Sequence, residues 1–344
     1  MCNRLPIWCY LPKVTYGGGK MATIKDVAKE AGLSVASVSR YINNKGYVGE
    51  DAKLRIEAAI QKLNYRPNEI ARSLFQKKTN MIGLIIPDIS NPFFPMLARG
   101  VEDYLAEHNY QMVLGNTAND IIRENQYYNS FQQHNFAGII TAVEPLHEEE
   151  RTVPVIHIDR VSEGSQFYVR ADHFLGGHLV AQAVIDSQPK KVLIMSGPKN
   201  IWNVSQKNQE LVSQLQGQKV PYTELAVETF GLENIMTIVK EVFAKIPEHD
   251  TVVATNDIHA IYLIKEALSR GIKIPEELQV IGYDGIDFAE LLVPTLTTVR
   301  QPVYEMGSLA AEMLINQIKG QGNDNKRVCL PVTISPGATM RKKD

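Results

Sequence analysis

The stretch that decides the fold of the N-terminal part is DVAKEAGLSVASVSRYINNKG, residues 26–46. It contains two short helical patterns separated by Gly32, a residue type suited to the left-handed position just past a helix. The first helix is predicted over 24–31 with Thr23 as its N-cap, and the second runs to about residue 43 with Ser34 as its N-cap. Two helices joined by so tight a turn indicate a helix-turn-helix unit.

The second helix is small and half polar, which is unusual for a helix that only fills a core. Val38 and Ile42 form its inward side, and the opposite face carries Val35, Ala36, Ser39, Arg40 and Asn43. Small side chains let a helix lie deep in the DNA major groove, where an arginine can donate two hydrogen bonds to guanine and an apolar group can contact a thymine methyl. The alternative is a generic three-helix bundle, because a third helix over 51–63 offers the apolar residues Leu54, Ile56, Ala59, Ile60 and Leu63.

The charge is distributed unevenly along the chain. Residues 21–80 carry 11 Lys or Arg and 6 Asp or Glu, a balance of +5. Residues 1–20 add +3, so the total of −2 leaves −10 for residues 81–344. A basic head on an acidic body favours a polyanionic partner for the head, although charge alone leaves a chance surface fluctuation open.

Length and composition predict a soluble globular protein of more than one domain. The chain has 344 residues, of which 44% are hydrophobic and 22% charged. Cys2, Cys9 and Cys329 form neither a metal-type pair nor a disulfide framework, which fits the cytoplasm. Residues 1–20 lack a secretory signal, and the glycines before Met21 are what a translated ribosome-binding site would encode. We therefore expect 1–20 to be a non-native or disordered leader, with a flexible natural tail as the alternative.

The remainder alternates short apolar runs with helical patterns, as in two α/β subdomains with parallel sheets. The apolar runs are 82–86, 111–114, 138–141, 155–158, 192–195, 251–255 and 279–283. Ligands of such sheets bind beyond the carboxyl ends of the strands, so the residues directly after each run are candidates for binding.

Those residues are aromatic and polar, a combination that suits a sugar. Rings pack on the apolar faces of a sugar, while carboxylates, amides and arginine hydrogen-bond its hydroxyl rim. The candidates are Asn91, Phe93, Phe94, Asp159, Arg160, Phe230, Asn256, Asp284 and Gln301. Each has an alternative: the phenylalanines as core residues, and Asp159 and Asp284 as helix caps or turn residues. Asp172 is a candidate helix cap.

The chain from Met21 to about Met340 resembles the lactose/galactose repressor (LacI/GalR) family. The matching segments are TIKDVAKEAGLSVASVSRYIN, LNYRPNEIARSL, IGLIIPDISNPFF, VIGYDG and PTLTTVRQP, in the order of the family. The resemblance implies an N-terminal all-α helix-turn-helix DNA-binding domain and an α/β periplasmic-binding-protein-like core of two doubly wound subdomains. The implied divisions are 21–64 for the helix-turn-helix, 65–80 for a hinge helix and linker, 81–170 plus 301–328 for one core subdomain, and 171–300 plus 329–344 for the other.

The resemblance also implies a set of DNA contacts. The second helix reads bases, and a hinge helix inserts a leucine, here Leu74, into a minor-groove step. The alternative for Leu74 is packing against the core. The DNA-contact candidates are Thr23, Ser34, Val35, Ala36, Ser37, Arg40, Asn43, Asn68, Ala71 and Leu74.

The implied partners are a pseudo-palindromic double-stranded operator, a second copy of the chain, and a small sugar or sugar phosphate. Lys207 joins the effector candidates as a departure, because sugar-binding relatives usually carry an arginine there. Trp202 is a further candidate, with surface or interface packing as its alternative. A non-sugar effector or a protein co-repressor remains open, as does a free-standing sugar receptor.

Enzyme function is disfavoured. The sequence has no G-x-S-x-G nucleophile elbow and no phosphate-binding loop that ends in Gly-Lys-Ser/Thr. It also has no G-x-G-x-x-G after the first predicted strand and no H-E-x-x-H metal motif. Asp159 and Asp284 have the chemistry of a glycosidase pair, yet a sugar-binding site needs the same groups. RNA binding by the head is disfavoured because a helix shaped for a wide major groove does not fit A-form RNA. We therefore expect no catalytic residue, no cofactor, no metal and no membrane partner.

Overall fold

The computed structural model describes residues 22–42, 46–65, 79–143, 152–161, 165–198, 202–232, 234–322 and 326–342. The chain divides into two units, a head that ends at Lys77 and a body that begins at Lys78. Several predictions fall outside the described residues: the leader 1–20 and the DNA-contact candidates Asn43, Asn68, Ala71 and Leu74.

The head consists of helices α1 (Ile24–Ala31), α2 (Val35–Ile42) and α3 (Glu50–Lys62). Thr23 and Asp26 form a reciprocal capping box at the start of α1, in which the Thr23 amide donates to Asp26 Oδ2 at 2.8 Å. Gly32 ends α1 with φ of +63°, and a Cβ there would lie 2.6 Å from Arg55 Nη2. The tight turn between α1 and α2 therefore depends on glycine.

A small core joins the three helices of the head. Its buried members are Val27, Ala28, Ala31, Val38, Ile56 and Ala59. Lys62 on α3 forms an ion pair with Glu30 on α1 at 2.7 Å. Leu54 of α3 lies outside this core and is 66% exposed. Ile56 and Ala59 occupy the inward face of α3, and helical periodicity puts Leu54 on the opposite side.

The body contains two six-stranded sheets. The first has strands β1 (Met81–Ile86), β2 (Gln111–Asn116), β3 (Gly138–Thr141), β4 (Val155–Ile158), β5 (Tyr168–Ala171) and β11 (Arg327–Leu330). Their order is β11-β5-β4-β3-β1-β2, and all pairs are parallel.

The second sheet has strands β6 (Val192–Met195), β7 (Tyr222–Leu225), β8 (Thr251–Val253), β9 (Gln279–Asp284), β10 (Thr297–Arg300) and β12 (Thr333–Ser335). Their order is β12-β10-β9-β8-β6-β7, with β12 antiparallel to β10. Every residue of β3, β6, β8 and β9 is buried, as expected for central strands of a sheet covered by helices.

The helices of the body follow its strands. They are α4 (Phe93–Glu107), α5 (Ile121–Gln133), α6 (His173–Asp186), α7 (Trp202–Gly217), α8 (Ile235–Lys245), α9 (Asp257–Ser269) and α10 (Val303–Ile318). Of these, α10 packs against α4, and α6 packs against α7. Within the described ranges, no helix has both the length and the apolar character needed to cross a bilayer.

The chain crosses between the two sheets three times: after Ala171, after Arg300 and after Leu330. The divisions implied by the resemblance lie at 170/171, 300/301 and 328/329. Strand β5 ends one residue after the first of these divisions, and β11 ends two residues after the third.

Candidate functional site

A cleft in the body opens at the carboxyl ends of strands from both sheets. It has about 560 Å³ of empty space, part of which is open to solvent. Ten of the eleven effector candidates line it. Trp202 begins α7, and its side chain lies outside the described part of the structure. His173, Val204, Thr255 and Tyr283 also line the cleft and were missed by sequence reasoning.

Two phenylalanines at the start of α4 form an apolar wall of the cleft. The rings of Phe93 and Phe94 meet edge to face, with centroids 5.1 Å apart and planes at 78°. The Phe93 amide donates to Asn91 Oδ1 at 3.1 Å, which fixes the turn between β1 and α4. Both rings also belong to the hydrophobic core. Phe93 and Phe94 therefore pack in the core on one side and line the cleft on the other.

A third aromatic ring comes from the second sheet. Phe230 follows β7, and its carbonyl accepts a hydrogen bond from Asn256 Nδ2 at 3.0 Å. The guanidinium carbon of Arg160 lies 5.8 Å from the centroid of the Phe230 ring, a cation–π distance. Arg160 follows β4 of the first sheet and also donates to Asn119 Oδ1 at 3.2 Å. The contact between Arg160 and Phe230 therefore crosses the cleft.

Asp284 and Gln301 form a buried polar pair at the rim. Gln301 Nε2 donates to Asp284 Oδ1 at 2.9 Å, and the Gln301 amide donates to the Asp284 carbonyl at 3.0 Å. Burial raises the pKa of Asp284 well above its usual range, and the nearby Asp257 and Asp159 raise it further. Gln301 Oε1 is buried without a hydrogen-bond partner among the described residues, so it is an acceptor available to a ligand hydroxyl.

The Asp159 carboxyl lies beside His173, which contacts both lobes of the body, each lobe being one sheet with its helices. Burial raises the pKa of Asp159 to about 6, although Arg160 opposes the shift. His173 Nε2 lies 4.0 Å from Asp159 Oδ1, and His173 Nδ1 lies 3.1 Å from the Tyr283 hydroxyl. Burial, with the charges of Lys207 and Arg170, lowers the pKa of His173 to about 3, so the ring is neutral at physiological pH.

Lys207 is the buried cation of the second lobe. Its Nζ donates to the Thr255 carbonyl at 3.2 Å and lies 4.3 Å from the centroid of the Tyr283 ring. Burial lowers the pKa of Lys207 to about 8, against the attraction of Asp284 and Asp257. A Cβ at Gly177 of α6 would lie 2.3 Å from the Lys207 carbonyl, so glycine permits the close approach that positions this side chain.

Asp257 does not line the cleft but bonds to the turn that follows Asp284. Its Oδ2 accepts from the amides of Gly285 and Ile286 at 2.7 and 2.9 Å, and its Oδ1 accepts from Thr298 Oγ1 at 2.5 Å. These bonds hold the turn that presents Asp284. Asp172 also has a structural role, because its Oδ1 accepts from the Leu175 amide at 2.9 Å and caps α6.

The head presents the predicted reading face to solvent. Val35, Ala36 and Arg40 are exposed on α2. Ser34 caps α2, because its Oγ accepts from the Ser37 amide at 3.1 Å. A short helix with such small exposed side chains fits the dimensions of a DNA major groove. The described residues hold no cluster of three His, Cys, Asp or Glu side chains arranged to bind a metal ion.

Comparison with known families matches both units. Residues 23–68 match the family described as bacterial regulatory proteins, lacI family, and residues 203–340 match the periplasmic binding protein-like domain. The ribose operon repressor of Bacillus subtilis (strain 168) is 41% identical over 327 residues, which cover 94% of this chain and 100% of that protein.

Solved structures agree. A lacI-family regulator from Enterococcus faecium with bound ribose is 29% identical, with a TM-score of 0.68 over 76% of this chain and 98% of that one. The lac repressor dimer bound to operator and an anti-inducer has a TM-score of 0.83 over 94% of this chain and 100% of that one, at 19% identity. The chain therefore belongs to the lacI family of bacterial regulatory proteins.

Proposed function

We propose that this protein is a DNA-binding repressor of a carbohydrate-utilisation operon and that its effector is ribose. The cleft carries the proposal, because it brings four phenylalanine and tyrosine rings together with carboxyl, amide, guanidinium and ammonium groups. The second support is the 41% identity to a ribose operon repressor over nearly the whole chain. A free pentose offers the apolar ring faces and hydroxyl rim that such a cleft complements.

The charges of the cleft favour an uncharged sugar over a sugar phosphate. Asp159, whose pKa is about 6, is ionised at physiological pH and repels a phosphate group, while each of the two cations already gives one donor to a protein partner. Lys207 is bonded to Thr255 and lies over Tyr283, and Arg160 is bonded to Asn119 and lies over Phe230. A phosphate beside the Asp159 carboxylate therefore meets like-charge repulsion, and a neutral polyol does not.

The head supplies the DNA-binding half of the function. In the proposed complex, α2 lies in the major groove, Arg40 contacts guanine, and Val35 or Ala36 contacts a thymine methyl. Ser34 and Ser37 lie nearer to the phosphates. Two heads of a homodimer then read half-sites one helical turn apart, which requires a pseudo-palindromic operator. The protein works in the cytoplasm on chromosomal DNA and performs no catalysis.

Effector and operator are coupled through the two lobes of the body. Ribose is proposed to bring the lobes together about the three crossings, because contacts such as that of Arg160 with Phe230 join opposite sides of the cleft. Such coupling is typically about 1–3 kcal/mol, a change of about 5–150-fold in operator affinity. The same factor must appear in ribose affinity when operator is bound.

Calorimetric titration of the full chain with D-ribose, D-xylose, sucrose and ribose 5-phosphate tests the effector. We expect D-ribose to bind most tightly and ribose 5-phosphate to bind weakly. Fluorescence anisotropy with a labelled operator then tests whether D-ribose changes operator affinity. Tighter binding of the phosphate ester, or the same operator affinity at saturating D-ribose, would contradict the proposal.

A further inference from the structure

A buried histidine lies behind the cleft without lining it. His259 belongs to α9, and its side chain has no exposed surface. Its Nε2 lies 3.2 Å from the Gly231 carbonyl, and its Nδ1 lies 2.5 Å from Thr255 Oγ1. A carbonyl can only accept, so Nε2 carries a hydrogen and donates to Gly231. Burial lowers the pKa of His259, so the ring is neutral and Nδ1 accepts from the Thr255 hydroxyl.

Both partners of His259 are next to residues of the cleft. Gly231 follows Phe230, whose ring forms the aromatic wall of the second lobe. Thr255 itself lines the cleft, and its carbonyl accepts the hydrogen bond from Lys207. The imidazole therefore joins two segments of the cleft wall that are far apart in sequence.

The turn that carries Phe230 is attached to the start of α9 by two adjacent bonds. Asn256 Nδ2 holds the Phe230 carbonyl at 3.0 Å, and His259 Nε2 holds the Gly231 carbonyl at 3.2 Å. The Gly231 amide closes the turn by donating to Thr229 Oγ1 at 3.0 Å. With Asn256 alone, the turn could rotate about the Phe230 carbonyl, and the second bond removes that freedom.

We propose, resting on the function proposed above, that His259 is a positioning residue for effector binding that fixes the 229–231 turn so that Phe230 forms the cleft wall. A wall that is ordered before binding reduces the conformational entropy lost when the ligand binds. Phe230 also contacts Arg160 of the opposite lobe, so its position affects contacts on both sides of the cleft.

The body contains a matched control histidine. His249 is also buried, with Nδ1 2.7 Å from the Lys245 carbonyl and Nε2 2.9 Å from Thr223 Oγ1. Like His259, it joins one backbone carbonyl to one threonine hydroxyl. Neither of its partners lines the cleft. His249→Leu therefore removes the same kinds of bond from the same subdomain without releasing the Phe230 turn.

The experiment compares the full-length wild type, His259→Leu, His259→Gln and His249→Leu by calorimetric titration with D-ribose. We expect His259→Leu to weaken D-ribose binding about tenfold, the effect of one lost hydrogen bond. His259→Gln should recover most of the affinity, because its amide N–H can still reach the Gly231 carbonyl. His249→Leu should lower the melting temperature and leave D-ribose affinity within about twofold of the wild type.

Hydrogen exchange of the ligand-free proteins provides a readout that does not depend on the sugar. We expect the amides of 229–232 to exchange faster in His259→Leu than in the wild type. In His249→Leu their exchange rates should equal those of the wild type. Equal exchange in all three proteins, or equal loss of D-ribose affinity in the two leucine variants, would overturn the inference.

Two further outcomes remain decisive. A wild type that does not bind D-ribose refutes the proposed effector, while the exchange comparison still decides whether His259 orders the turn. If His259→Leu does not fold, His259→Gln is compared with His259→Asn, whose shorter side chain cannot reach Gly231. Equal D-ribose affinity of those two variants would then overturn the inference.

Discussion

Asp284 shows how a single side chain combines an unusual protonation state with a binding role. Its carboxyl is buried, paired with Gln301 and shifted toward the neutral form. A carboxylic acid can both donate and accept, which suits a sugar hydroxyl. Asp284→Ala removes this group and leaves Gln301 Nε2 without its acceptor.

We expect Asp284→Ala to weaken D-ribose binding by about 10- to 100-fold, the range for a lost hydrogen bond and an unpaired buried donor. Asp284→Asn should lose less, because it mimics the neutral acid. Operator affinity without sugar should not change. Asp287→Ala is the control, since that carboxyl is 86% exposed. D-ribose affinity that survives Asp284→Ala would place the binding site elsewhere.

The pKa of Asp159 predicts a pH dependence. Burial raises it to about 6 from 3.8, so the folded protein keeps the proton that the unfolded chain releases. Ionisation of Asp159 therefore lowers the free energy of unfolding as pH rises from about 4 to 6, by up to about 3 kcal/mol. Chemical denaturation at pH 4, 5 and 6 should show this loss in the wild type and a smaller one in Asp159→Asn. An identical pH dependence in the two proteins would contradict the assignment.

Arg40 is the one charged side chain on the exposed face of α2 within the described residues. Arg40→Ala should cost about 1–3 kcal/mol at one operator position and relax the preference for that base pair. Competition between operator variants in anisotropy measurements would reveal this. D-ribose affinity should not change, and Arg270→Ala, directly after α9 of the body, should leave operator choice intact. Equal base preference in Arg40→Ala and the wild type would argue against the groove assignment.

At the scale of elements, the turn between α1 and α2 depends on Gly32. Its φ of +63° is unfavourable for alanine, and a Cβ would press against Arg55. Gly32→Ala should destabilise the head by about 1–2 kcal/mol and leave the body unchanged. Differential scanning calorimetry with D-ribose present would separate the two units. Gly217→Ala, at the end of α7 with open space around it, is the control and should not lower the stability of the head.

Elements were predictable from the sequence where their residues are uniformly apolar. The runs for β1, β3, β6, β8 and β9 stand out because these strands are buried on both faces. Strands β5, β7, β10, β11 and β12 were missed, because each is only three or four residues long and contains polar or charged residues.

Two of the cleft residues that the sequence missed have different explanations. His173 follows β5, a short strand that was not predicted, so nothing marked His173 as a residue at a strand end. Tyr283 lies within β9 and reaches the cleft from inside the sheet.

At the scale of the whole molecule, the separation of charge predicts two different responses to salt. The positive head competes with counterions for the DNA phosphates, so the logarithm of operator affinity should fall by about 0.9 per contacted phosphate for each decade of salt. D-ribose is neutral, so its affinity should stay nearly constant when the NaCl concentration is raised from about 50 to about 300 mM. A steep salt dependence of D-ribose binding would indicate a charged effector.

The three crossings between the sheets also constrain how the protein can fold during synthesis. The first sheet gains its edge strand only when β11 pairs with β5, and its helix layer only when α10 reaches α4. A nascent chain that has reached the end of β5 at residue 171 therefore has an open sheet edge, and the ribosome must synthesise about 160 more residues, to residue 330, before β11 covers that edge. The three-helix head closes its core within the first 65 residues and can complete its fold much earlier. The nascent chain should therefore need chaperones most between the synthesis of β5 and that of β11.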